Sequence, residues 1–263
     1  GVCPHWAEYG IGKINMRAGL PPPLCGDFRN LYAHSCGVFI RAEIWACISP
    51  GLPAVAARYA LMDSALDHGY GEGTWAAVFT AAAESAAFFI GDERRLVEIG
   101  LSYIPTECGV AGAINRAVEL ADAGADLDTA RDAILTDFRG AVFMADRGHI
   151  DDRDQGKGYD TGTLGWDVPS NLGILVYGLL TGAGDFGKTL CDTVNLGEDT
   201  DCTGATVGSL FGLIHGTEAI PQRWIDPIGR GIKTICLNDG DCRFMIAKTV
   251  DELTDRTVAM AEK

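Results

Sequence analysis

Apolar positions along this chain recur with a helical period and almost never alternate. Pro53 to His68 reads as a helix with Pro in its first turn, a favoured place. Gly73 to Ile90 is alanine-rich and apolar nearly all the way round, which predicts a central helix with Glu84 as its main polar exception. Segments Glu93–Ile104, Val110–Ala123 and Asp128–Gly140 keep the period, each closed by Gly, Pro or a polar turn. It resumes over Ser170–Leu180, Asp185–Asn195, Cys202–His215, Pro221–Thr234 and Thr249–Glu262. The opening to Asn30, with Pro21-Pro22-Pro23, reads as extended or irregular, and Tyr32 to Trp45 as a loop leading into a buried helix. Between Asp146 and Gly165, Gly, Asp and charged residues dominate; without EF-hand spacing they read as a solvated loop. No run of useful length has period 2, and no internal repeat is found. The expectation is an all-α fold, with residues 1–263 forming one compact domain of about ten helices.

One helix has a distinctive preamble, Gly197-Glu198-Asp199-Thr200-Asp201-Cys202-Thr203-Gly204. Two carboxylates two residues apart, flanked by hydroxyls, suit a hard divalent cation such as Mg²⁺ or Mn²⁺, because such ions take oxygen ligands. The competing reading of Asp201 is a helix N-cap that needs no metal. Behind the turn, Gly204, Gly208, Gly212 and Gly216 form a slowly drifting bare stripe. Interior glycine costs roughly 0.5–1 kcal/mol relative to Ala, so a closely approaching neighbour helix is expected.

Composition narrows the classes. Hydrophobic residues make up 47% of 263, enough for a sizeable core without staples. A net charge of −15 argues against nonspecific nucleic-acid binding and requires local cationic help for any anionic ligand. Nine cysteines without a CxxC pair or zinc spacing read as reduced, mostly buried thiols of a cytoplasmic protein. No signal peptide, membrane span or Gly-rich phosphate loop is found.

Three blocks resemble the ADP-ribosylglycohydrolase family. The first is Gly197 to Gly216 with Ile220-Pro221-Gln222-Arg223-Trp224, similar to the family's late G-G-D-T-D-T motif and small-residue helix. The second is Ile40-Arg41-Ala42-Glu43-Ile44-Trp45 through Ser49-Pro50-Gly51, similar to a segment lining the nucleotide pocket. The third is Asp63 through His68 to Gly73, similar to a helix-end histidine and its glycine-containing loop.

The resemblance implies an all-helical fold with two adjacent divalent ions at the base of a cleft. There ADP-ribose attached to a protein or small molecule loses its partner at the ribose glycosidic bond. Carried over by position, Asp199 and Asp201 are metal ligands, with Thr200 shaping the turn and Thr203 or water substituting where Cys202 replaces a ligating Thr. Ser35, Gly37 and Arg41 lie near the diphosphate or distal ribose, and His68, Tyr70 and Gly71 border the nucleotide. Glu198, where the family has Gly, is the only local acid/base candidate. The early G-D-x-x-G and T-D-D-T motifs are not found, and the chain, which begins with Gly1, corresponds to roughly the C-terminal two-thirds of a member. Two functions therefore stand: a metal-dependent hydrolase, or an ADP-ribose-binding pseudoenzyme with an incomplete metal site. A helical scaffold without a small-molecule site is the third. Taken singly, His68 reads as a helix-end cap, Arg41 as a partner of Glu43, and Trp45, Trp75 and Trp166 as core anchors, with Trp166 placed to border the cleft.

Overall fold

The computed structural model describes residues 7–139, 165–233 and 246–263. Helices α1 (Ala7–Arg17), α2 (Leu24–Asp27), α3 (Glu43–Cys47), α4 (Pro53–Ser64), α5 (Glu72–Ala87), α6 (Glu93–Leu101) and α7 (Gly109–Asp122) come first. They are followed by α8 (Leu127–Phe138), α9 (Val168–Thr181), α10 (Phe186–Asn195), α11 (Thr200–His215), α12 (Gln222–Ile225) and α13 (Val250–Ala261). Among the described residues there is no strand, only isolated bridges at Ser35–Asp167 and Gly231–Thr249. The all-α expectation holds. None of these helices is long and apolar enough to cross a membrane.

Helix α5 is the axle. Its buried positions include every residue from Ala76 to Ala87, as its all-round apolar sequence requires. Helices α3, α4 and α6 pack on it, and α9, equally apolar, packs on α7, α8, α10 and α11. One core joins these layers, with Phe39, Phe79, Ile114, Leu172, Leu175 and Leu210 all at or below 2% exposure. Glu72 ties the layers at the site end: its carboxylate accepts the Gly109 and Val110 N–H groups at 2.9 and 2.8 Å. An acid at a helix N-terminus satisfies free donors and complements the dipole of α7.

Several sequence expectations change. The glycine- and proline-rich opening contains helix α1, whose glycines permit close docking; a Cβ at Gly12 would strike the Leu66–Asp67 backbone. Asn15 donates to the carbonyls of Cys25 and Phe28, both at 2.8 Å, binding α1 to the following turn. Residues 32–45 are not a plain loop but two 3₁₀ segments, Leu31–His34 and Cys36–Arg41, leading into α3. Helix α12 spans only four residues, so Pro221–Thr234 is not one helix. The glycine stripe is not a helix–helix seam. Among the described residues Gly204 alone meets a neighbour, Val194 and Leu190 on α10, whereas nothing lies within 4 Å of a Cβ at Gly208 or Gly212 and Gly216 (φ +77°) ends α11. The acidic run Asp151–Asp154 lies outside the described residues, as do Cys3, Cys236 and Cys242.

Candidate active site

The acidic turn is built by the link between α10 and α11. Leu196 is fully buried and pins the end of α10. Gly197 (φ +89°) and Glu198 (φ +61°) then take left-handed conformations that reverse the chain. For a non-glycine residue this costs roughly 1–2 kcal/mol. Helix α11 begins at Thr200 with Asp199 as the preceding residue, whose side chain makes no capping bond. Asp199 is thus left to face elsewhere, and so is Asp201 in the first turn, which is exposed.

Both face a cavity of about 360 Å³ whose lining includes Glu8, Tyr32, Ser35, Cys36, Gly37 and Trp166. Carboxylate oxygens of Asp199 and Asp201 and the Cys202 Sγ lie within 4.8 Å of one another. Burial, then the charge of Asp201, pushes the Asp199 carboxyl above its usual range, although hydrogen bonds from Cys202 and Cys36 oppose this. Two acids held together at such cost form a donor set that a cation would relieve. Burial also raises the Cys36 thiol well above its ordinary value, with Cys202 and the charge of Asp199 adding to it.

Thr200 and Thr203 are not among the residues that line that cavity. Thr203 is fully buried, and its hydroxyl donates to the Asp199 carbonyl at 3.2 Å. Thr200 lines a second cleft with Leu190, Val194 and Trp224, one that Asp201 also borders. Glu198 is absent from the cavity lining; its nearly buried carboxylate sits 3.2 Å from Arg139 Nε. Burial pushes the Glu198 carboxyl up to about 7, and the charge of Arg139 only partly offsets that.

The residues expected to border the nucleotide separate into two ranks. Ser35 and Gly37 line the cavity. Arg41 stands behind them and is consumed internally. Its Nε donates to Asp63 at 2.8 Å, and its Nη2 to both Asp67 oxygens at 2.9 and 3.0 Å, so Glu43 is not its partner. His68 is fully buried, with Nδ1 2.8 Å from Asp67 Oδ1 and Nε2 3.3 Å from Ser35 Oγ. Tyr70 is exposed and stacks on Trp75 at 6.5 Å. Gly71 packs its bare Cα on the Ala33 carbonyl.

Sequence reasoning missed Glu8, Tyr32 and Cys36. Glu8 is 4% exposed, and a Cβ at Gly37 would collide with its carboxyl. Tyr9 beside it donates to the Gly37 carbonyl at 2.9 Å. The signal was present as an acid and an aromatic at the head of a helix with glycines at 10 and 12, but the irregular reading concealed it. Trp166 does border the cavity, 5.1 Å from Tyr32 between ring centres, and its carbonyl accepts the Cys36 N–H at 3.1 Å.

A family model described as ADP-ribosylglycohydrolase matches residues 6–261. No curated protein and no solved structure matches the chain.

Proposed function

The chain belongs to the ADP-ribosylglycohydrolase family, and we propose that it is a metal-dependent hydrolase cleaving the N- or O-glycosidic bond of ADP-ribosylated protein or of a related ADP-ribosyl compound. The observation that carries this reading is the Asp199–Asp201 pair at one side of a cavity walled by Ser35, Gly37 and Trp166.

A substrate diphosphate is doubly anionic, and the described residues that line this cavity include Glu8, Asp199 and Asp201 but no Lys or Arg. Binding it therefore calls for cations. Asp199 and Asp201 would hold Mg²⁺ or Mn²⁺, and such an ion supplies charge stabilisation at the ribose as the anomeric carbon becomes oxocarbenium-like. The chain's own groups do the rest. Gly37 leaves room for the Glu8 carboxyl at the cavity wall, while the Tyr32 and Trp166 rings offer an apolar face to a flat group. Among the described residues six cysteines are free, Cys25, Cys36, Cys47, Cys108, Cys191 and Cys202, which is consistent with a reducing compartment such as the cytoplasm.

The test is release of free ADP-ribose from peptides modified on arginine or on serine, with and without Mg²⁺ or Mn²⁺. Metal-dependent release is expected. Calorimetric binding of ADP-ribose without turnover of either peptide would instead favour the pseudoenzyme reading.

A further inference from the structure

Behind the cavity wall four side chains stand in a line. Asp67 Oδ1 is 2.8 Å from His68 Nδ1, His68 Nε2 is 3.3 Å from Ser35 Oγ, and Ser35 Oγ is 3.3 Å from Glu8 Oε2. Their exposures are 6%, 0%, 4% and 4%, so water is excluded along most of the line. Only Ser35 and Glu8 reach the cavity, beside Asp199 and Asp201.

The line has too many acceptors for its protons. Asp67 is held ionised: burial opposes this, but the His68 hydrogen bond and the charge of Arg41 together keep its carboxyl below the usual range. His68 must then carry a proton on Nδ1. With neutral His68 and ionised Glu8, the imidazole Nε2 and the Glu8 Oε2 both need the single Ser35 hydroxyl proton. One added proton satisfies every contact, and it has two places to sit. On His68 Nε2 it donates to Ser35, which donates to Glu8. On Glu8 Oε2 it donates to Ser35, which donates to His68. The two arrangements interconvert when the Ser35 proton passes to Glu8 while the His68 proton passes to Ser35. Two protons shift together, one net proton passes from His68 to Glu8, and no bond between heavy atoms changes.

We propose that Glu8 is the acid/base group of this cavity and that Asp67, His68 and Ser35 form the relay that restores its proton. The inference rests on the hydrolase reading above. As the bond from the anomeric carbon to the leaving oxygen or nitrogen breaks, its electron pair stays on the leaving atom, which takes the Glu8 proton. A water oxygen bonds the anomeric carbon and releases one proton to the now ionised Glu8, which returns the line to its one-proton state; when that proton rests on His68, Ser35 passes it back to Glu8. Glu8 acts on the leaving group directly; Ser35, His68 and Asp67 are positioning residues.

The experiment compares two ADP-ribosyl substrates, one leaving as a serine-peptide alkoxide and one as an acidic nitrophenol, at saturating Mg²⁺ or Mn²⁺. Removing a general acid costs typically 10²–10⁴-fold where the leaving group needs the proton. Glu8→Gln should therefore lose at least ~100-fold on the serine substrate and under ~10-fold on the nitrophenyl one. Ser35→Ala should show the same split with a smaller loss, and Ser35→Thr, which keeps a hydroxyl, should recover most of the serine-substrate rate. Equal losses on both substrates in folded Glu8→Gln, or no loss on either, would overturn the assignment. Should Glu8→Gln fail to fold, the Ser35→Ala and Ser35→Thr pair decides by the same split. Wild-type turnover of neither substrate would remove the hydrolase reading itself, and with it the relay.

Discussion

The Asn171 side-chain oxygen accepts the Asp199 backbone N–H at 3.0 Å, joining the first turn of α9 to the residue that opens the acidic turn. The same buried amide donates to the carbonyls of Gly165 and Asp167 at 2.9 and 2.8 Å. One side chain thus holds the loop carrying Trp166 and the start of α11 in register, with both its N–H donors and one acceptor position used inside the protein.

Replacing Asn171 by Ala leaves a buried N–H and two buried carbonyls without this partner. The cost per unsatisfied group is roughly 1–3 kcal/mol. Thermal unfolding should fall by several degrees, at about 2–4 °C per kcal/mol for a chain of this size. The melting shift produced by Mn²⁺ should disappear with it, since Asp199 loses its anchor.

Asp199→Asn should abolish the stabilisation conferred by Mg²⁺ or Mn²⁺ in differential scanning fluorimetry. Without metal the variant should melt no lower than the wild type, because its carboxyl is destabilised first by burial and next by the Asp201 charge. A lower metal-free melting point would show Asp199 to be a structural capping residue instead.

Cys202→Thr should tighten Mg²⁺, on the order of tenfold, by exchanging a soft thiol for an oxygen donor beside the two carboxylates. Titrations monitored by melting shift should show Cd²⁺ losing affinity in the same variant. Parallel gains for both ions would mean that residue 202 does not face the cation.

Two buried acids should make stability fall as pH rises. The Glu198 carboxyl is pushed up to about 7 in the folded protein, against about 4.5 in an unfolded chain. The native state therefore binds more protons than the unfolded state between these values, and stability contributed below pH 4.5 is lost by pH 7. Glu198→Gln should match the wild type near pH 4.5 in urea unfolding and exceed it by about 2–3 kcal/mol above pH 7. Glu84→Gln should move the same way. Among the described residues its fully buried carboxyl meets no donor in good hydrogen-bond geometry; burial, then the charge of Glu43, raises it well above its ordinary value.

The helical class was legible in the sequence because it rests on local periodicity. Glu72–Ala87 has no polar face to present to water, so its central burial follows from composition alone. The acidic turn was legible too, since Gly197, Asp199 and Asp201 are neighbours in the chain and carry their chemistry with them. The glycine stripe misled, because spacing shows that Cβ atoms are missing and not what stands opposite them. The same limit hid helix α1: Gly10 and Gly12 weaken a helix in isolation, and their compensation is the close seat of α1 on Leu66 and Asp67, distant in sequence.

What the sequence by itself determined is the helical class, most of the long helices and the two carboxylates that face the cavity. Tertiary structure alone decided that Arg41 is spent on Asp63 and Asp67 and that His68 stands buried between Asp67 and Ser35. It also brought Glu8 against Gly37, 29 residues on. Periodicity acts within one helix, whereas a site's electrostatics depends on which helices meet, and that is set by how the whole core packs.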